Sequence, residues 1–220
     1  MERLNAAMAP APVRPVKVLQ FGEGNFLRAF VDYMIDIANE KSDFNGSVAL
    51  VKPIQMGTLF PAFKEQDYRY TVMLRGLVDG LVDGQAVEQT RVVTSVSDAV
   101  DAYADYAHYA DYAKLPSLRF IVSNTTEAGI VLDETDEFSL CPPKSYPGKL
   151  TKFLFERAEA FDYAQDKGLI ILPVELIDDN GIMLKKCVKA LAKQWALGEK
   201  FEQWLETACV FTSTLVDRIV

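Results

Sequence analysis

Short apolar runs alternate with amphipathic stretches along most of the chain, and this alternation fixes the first reading of its architecture. Val16, Val18, Leu19 and Phe21 form a buried-strand pattern, and Asn25 to Glu40 follows with Phe26, Phe30, Tyr33, Met34 and Ile37 at helical spacing. A turn at Asn45-Gly46 leads into a second apolar run, Val48 to Val51, completing a β-α-β unit. Residues 68–94 differ: YRYTVMLRGLV and QAVEQTRVVT are rich in β-formers and flank the turn dipeptides Asp79-Gly80 and Asp83-Gly84, which predicts an inserted antiparallel hairpin.

The alternation then resumes. A tyrosine-rich helix is predicted over Ser97 to Lys114, a strand over Arg119 to Ser123, a helix over Lys149 to Gln165 and a strand over Leu169 to Pro173. Two further helices are predicted, Gly181 to Trp195 and Glu199 to Phe211. Strands alternating with helices imply an α/β fold, a doubly wound, mainly parallel sheet with both faces covered and the hairpin inserted into it. The first fifteen residues carry three prolines and no apolar period, so 1–15 is expected to be a flexible arm and 16–212 the folded domain.

Composition narrows the partners. With 220 residues and 50% hydrophobic content the chain can bury a large core. Its 23 basic against 31 acidic residues give a net charge of −8 without a basic cluster, which argues against nucleic acid. No apolar run nears the roughly 20 residues that span a bilayer, so no membrane partner is expected. Cys141, Cys187 and Cys209 are odd in number and widely spaced, which reads as free thiols of a reducing cytoplasm and not as a metal site.

The candidate chemistry begins at Gly22-Glu23-Gly24, between the first strand and its helix. Glycines there allow a sharp turn and close approach to a pyrophosphate, while free N–H groups of the helix start face the anion. The third glycine of the usual dinucleotide pattern is missing, since Leu27 stands in its place. Phe21, Gly22, Glu23, Gly24, Asn25 and Phe26 are the candidate cradle, and an ordinary strand-to-helix turn is the alternative. Ser123-Asn124-Thr125-Thr126-Glu127 follows the strand RFIVS and therefore lies at the ligand-binding edge of such a sheet, although Ser, Thr and Asn also bond their own backbone in polar loops. PVELIDDNG follows LIILP in the same way. Glu175 is expected to be the polar group nearest the cleft, and Asn180 to serve the substrate side or merely to start a helix.

At the end of the second strand stands Lys52, where NAD-binding folds usually place an acid on the ribose 2′-hydroxyl. Taken alone, Lys52 admits a 2′-phosphate and hence NADP. His108, the sole histidine, sits among Tyr103, Tyr106, Tyr109 and Tyr112 on a stripe that reads as a packed helix face without a catalytic partner. The absence of a GxSxG elbow disfavours an α/β hydrolase.

GEGNFLRAF resembles the N-terminal signature of the long-chain mannitol dehydrogenase superfamily. SNTTEAG at 123–129, PVELIDDNG at 173–181 and STLVDRI at 213–219 resemble further motifs of that superfamily, in the order and spacing of its tagaturonate reductase branch. The resemblance spans about residues 16–220. It implies a Rossmann-like domain that binds NAD, with NADP not excluded, in an oxidoreductase interconverting tagaturonate and altronate by hydride transfer. The other function considered is a non-catalytic dinucleotide-binding or sensing module. In mannitol-oxidising relatives an asparagine inside the third motif helps hold the reacting oxygen, and Leu176 occupies that position here. Asp217 and Arg218 resemble residues of a domain junction, and Arg218 is a candidate clamp for an anionic sugar acid. The resemblance further implies that residues 213–220 begin a junction to a helical domain outside this chain. The Lys, Asn and His that transfer the proton belong to that domain, so the chain alone is expected to be inactive.

Overall fold

A computed structural model describes residues 3–55, 59–76, 87–125, 129–216 and 220. Strands β1 (Val16–Phe21), β2 (Ser47–Lys52), β5 (Val96–Asp101), β6 (Phe120–Ser123), β7 (Ile170–Pro173) and β8 (Val210–Phe211) form one six-stranded sheet in the order β5-β2-β1-β6-β7-β8, and every pairing in it is parallel. Strands β3 (Tyr70–Gly76) and β4 (Val87–Val93) form the expected antiparallel hairpin as a separate sheet. Its tip, with both Asp-Gly dipeptides, lies outside the described residues. Parallel strands buried on both sides explain why the apolar runs are nearly continuous, as in SVALVK, whose six residues are all buried.

Alternate residues of β1 feed two cores. Leu19 and Phe21 join Ala49, Val51, Ile121 and Ile171 under α4 (Tyr106–Asp111), α5 (Tyr146–Ala160), α6 (Asn180–Gln194) and α7 (Glu199–Thr207). Val18 joins Val48, Leu50 and Val122 on the other face, together with Phe63 of α3 (Leu59–Glu65) and with Tyr70, Val72 and Val93 of the hairpin. That face also carries a helix that starts as α1 (Asn25–Leu27), widens into a π-turn over Arg28–Asp32 and continues as α2 (Tyr33–Lys41). Among the described residues no helix is long and apolar enough to cross a membrane.

Two strands were hidden in predicted helices. Residues 96–101, read as the start of the tyrosine helix, pair in parallel with β2, and the helix itself begins only at Tyr106, where Asp105 accepts from the His108 N–H. The tyrosine period masked the buried Val96, Ala99 and Val100 of this edge strand. The last predicted helix likewise stops at Thr207, and Val210–Phe211 adds a two-residue strand beside β7. α5 starts at Tyr146 rather than Lys149, because Ser145 caps it by accepting from the Gly148 N–H and Pro147 fits the first turn. Residues 3–15 form no regular helix or strand. The Ala6 N–H nevertheless donates to Asp67 at 2.9 Å, and Arg69 donates to the Ala9 carbonyl at 3.3 Å, so the arm has anchors on the body.

Two polar groups hold the layers. Arg157, 1% exposed, donates to the carbonyls of Ala113, Leu115, Leu118 and Lys167 at 2.7 to 3.0 Å, satisfying loop ends that no strand or helix pairs. Its burial lowers the guanidinium pKa to about 10, which leaves it charged at neutral pH. On the other face the hairpin is latched to the helix. Tyr70 donates to Asp32 at 3.0 Å, and Arg91 of β4 pairs with Asp36 at 2.6 Å and Glu40 at 2.7 Å. Asp32 is fully buried on the π-turn, and loss of solvation raises its pKa to about 7 despite donation from Tyr70 and Gln20.

Arg157→Met should lower stability by about 3 kcal/mol, because the buried carbonyls of Ala113 and Leu118 and the half-buried one of Lys167 lose this donor together. Chemical denaturation reads this directly. Folded Asp32 keeps its proton up to about pH 7, whereas the unfolded carboxyl loses it near 3.8, so the native state holds the extra proton between those values. Stability therefore falls as pH rises through that window and levels off above about 7, a span of about 4 kcal/mol for the roughly three-unit shift. Asp32→Asn should remove that slope and be the more stable protein at pH 8. An unchanged slope in urea melts at pH 5, 6, 7 and 8 would contradict it.

Candidate functional site

Strand register brings the quoted motifs level at one edge of the sheet. Phe21 lies opposite Val51 on one side and Ser123 on the other, Ser123 lies opposite Pro173, and Lys52 lies opposite Asp101. β1 is also where strand order reverses, since β2 and β5 lie to one side and β6, β7 and β8 to the other. Open parallel sheets bind ligands in the crevice beyond the carboxyl ends of their strands at this point.

The two glycines divide the work of the first turn. Gly22 has φ +126, a conformation open to glycine, and a Cβ there would lie 3.0 Å from Leu27 Cδ1 and 3.1 Å from the Asn124 carbonyl oxygen. Gly22 is thus the turn residue, anchored by its N–H to the Val51 carbonyl at 3.1 Å. Gly24 has φ −68, stands at the helix N-cap without a side-chain cap, and would direct a Cβ into space with no atom within 4 Å. The helix entrance at Gly24, Asn25 and Phe26 is therefore open to an anion, and the residues present suit a pyrophosphate. Asn25 is exposed and accepts from the Arg28 guanidinium. Phe26 packs beside Phe30 and the second core.

Several other candidates act as braces. Phe21 turns its ring into the first core against Tyr146 and Tyr109, so only its backbone reaches the edge, where its carbonyl accepts from the Asn124 N–H at 3.1 Å. Asn124 donates from its side chain to the Val174 carbonyl at 2.7 Å. Glu175, expected nearest the cleft, is 1% exposed, and its carboxylate accepts from Ser123 Oγ at 3.2 Å and from the Thr125 N–H and hydroxyl at 3.1 and 3.0 Å. A buried carboxylate needs several donors, and the preceding motif supplies all three. Asn180 is also fully buried: its amide donates to the Glu175 carbonyl and to Thr214, and its oxygen accepts from the N–H of Gly181 and Thr214. It ties the third motif to the fourth instead of pointing toward a substrate, and Asp179 occupies the helix N-cap. Thr126, Glu127, Asp217 and Arg218 lie outside the described residues.

Lys52 is not a free cation. Its Nζ donates to Asp101 Oδ2 at 2.9 Å and to the Gln55 carbonyl at 3.1 Å, and its side chain is only 9% exposed. The sequence reading missed Asp101 because its strand was read as helix. Glu23 stands close enough to feel Lys52, Asp101 and Arg28. Burial raises its pKa, opposed chiefly by Lys52, and its Oε2 is buried without a partner. His108 does gain a carboxylate, Asp98 at 3.0 Å, with Tyr112 donating to the same oxygen at 2.7 Å. That cluster packs helix α4 against the edge strand, away from the motif-bearing edge.

Two cavities flank the edge. One, of about 560 Å³, lies between the helix entrance and the hairpin and is lined by Asn25, Arg28, Tyr70, Thr71, Arg75 and Val220. Arg28 lies over the rings of Phe63 and Tyr70 at 4.9 and 5.5 Å, a position that the letters of the motif alone do not disclose. The other, of about 420 Å³, is lined by Leu176, Asp178, Asp179, Ser213, Thr214 and Leu215 among others, at the ends of β7 and β8.

Comparison with known proteins gives a single answer. The chain is 47% identical over its whole length to the altronate oxidoreductase of Yersinia enterocolitica and 48% identical to that of Escherichia coli, and it spans 45% of the length of each. Its fold is similar to that of Pseudomonas fluorescens mannitol 2-dehydrogenase, solved as a ternary complex with NAD and D-mannitol, with a TM-score of 0.77, 22% identity, and coverage of 99% of this chain and 47% of that one. D-sorbitol dehydrogenase in substrate-free form is similar at a TM-score of 0.72, 19% identity, and coverage of 96% of this chain and 46% of that one. The family model described as the mannitol dehydrogenase Rossmann domain matches residues 16–220, and the chain belongs to that family.

Proposed function

We propose that this chain is the NAD-binding domain of an oxidoreductase that interconverts altronate and tagaturonate. The observation that carries the cofactor part is the uncapped helix entrance at Gly24, open at the point where strand order reverses. The altronate oxidoreductases to which the chain is 47–48% identical support the substrate. In this reading the N–H groups of the helix entrance hold the pyrophosphate and Gly22 lets the backbone turn beneath it. Ser123, Asn124 and Thr125 border the nicotinamide end in this reading, held by the Glu175 carboxylate and the Val174 carbonyl. NAD supplies the hydride chemistry when bound. The sugar acid and the proton-transfer group would be held by the further part that the greater length of the relatives accommodates.

Gly24→Val should weaken NADH binding at least about tenfold, a loss of roughly 1.4 kcal/mol or more, because the isopropyl group fills the space reserved for the phosphates. The fold should survive, since no protein atom lies within 4 Å of the added Cβ. Calorimetric titration with NADH, paired with circular dichroism, checks both halves. Equal affinity in variant and parent would reduce Gly24 to a turn residue and remove the main support for the cradle.

A further inference from the structure

The corner between β1, β2 and β5 presents a contradiction in charge. The end of β2 is where dinucleotide-binding folds read the adenosine ribose, an acid there accepting from the 2′-hydroxyl of NAD and a cation admitting the 2′-phosphate of NADP. This chain has a cation there, Lys52, but the adjoining strand brings Asp101 level with it and closes a 2.9 Å ion pair. The Gln55 carbonyl takes a second donor of the same ammonium at 3.1 Å. Glu23, between the cradle glycines, adds a second carboxyl to the corner and has a buried oxygen, Oε2, without a partner.

Building on the cofactor reading above, we propose that Asp101 selects NAD over NADP by pinning Lys52, and that Glu23 supplies the ribose-hydroxyl acceptor that β2 lacks. Two carboxyls then face one ammonium. A 2′-phosphate entering this corner meets net repulsion and must compete with Asp101 for Lys52, whereas a ribose hydroxyl can donate to the Glu23 carboxyl, whose buried Oε2 has no partner among the described residues. Arg28, the remaining nearby cation, has its guanidinium over the Phe63 and Tyr70 rings on the hairpin side and donates to Asn25, so it does not replace Lys52. Asp101 acts through Lys52 and is a positioning residue.

The test is calorimetry of the whole chain with NADH and with NADPH. The parent should prefer NADH. Asp101→Asn retains an acceptor for the Tyr103 N–H, which Asp101 Oδ1 binds at 3.0 Å, but releases the Lys52 charge. It should shift the NADPH-to-NADH affinity ratio toward NADPH by about tenfold, and adding Lys52→Met should cancel the shift. A general loss of structure would lower both affinities together and leave the ratio unmoved. Should Asp101→Asn fail to fold, Glu23→Gln carries the test: NADH affinity should drop and the ratio should move the same way. A parent that binds NADH together with a ratio unchanged in every folded variant overturns this assignment, while a parent that binds neither cofactor overturns the cofactor reading beneath it.

Discussion

Everything at the candidate site depends on β1 being paired in parallel on both sides. Its register with β2 and β6 sets the ends of three strands at one height, and the helix that follows must leave from the single gap between them. Because the strand is covered on both faces, its side chains must satisfy two cores at once. Leu19 and Phe21 do so on one face and Val18 on the other. Gln20 is the exception: fully buried, it donates to the Gly22 carbonyl at 3.1 Å and to Asp32 at 3.4 Å, and so joins the cradle turn to the π-turn of the following helix. The π-turn and the hairpin latch meet at this buried polar contact, since Asp32 lies on the π-turn and also accepts from Tyr70.

The same economy governs the far side of the edge. Burying Glu175 and Asn180 is tolerable only because the loops from β6 and β8 bring donors and acceptors to them. Each described loop end is consequently hydrogen-bonded to its neighbour, and the three ends form one connected rim. The polar letters that looked like ligand contacts mostly build the rim, whereas the helix entrance at Gly24 stays open.

Charge is distributed in keeping with this division. Arg157 neutralises carbonyl ends far from the site, and Arg91 fastens the hairpin to Asp36 and Glu40. Near the cradle Lys52 is paired with Asp101, and the carboxyl of Glu23 has a buried oxygen without a partner among the described residues. The cation in which the strand ends is therefore already matched by a carboxylate of its neighbouring strand.

How much of this was legible in the sequence follows from the range of each interaction. The apolar periods of β1, β2, β6 and β7, the inserted hairpin, and the glycine turn before a helix are local, and local patterns were enough to give the fold class and the ordering of motifs along one edge. Strands β5 and β8 were not legible. VSDAVD overlaps a tyrosine period, and Val210–Phe211 is only two residues long; both become strands by pairing with partners far along the chain. The same reason separates the site residues. Gly22 and Gly24 are defined by their own backbone, so the sequence singled them out as a pair, though only the fold distinguishes the turn former from the open cap. Whether Glu175 faces a cleft or a neighbouring loop, and whether Lys52 is free or paired, depends on residues 50 and 49 positions away, Thr125 and Asp101. Side-chain direction and charge pairing across that distance are properties of packing, and only the tertiary structure decided them.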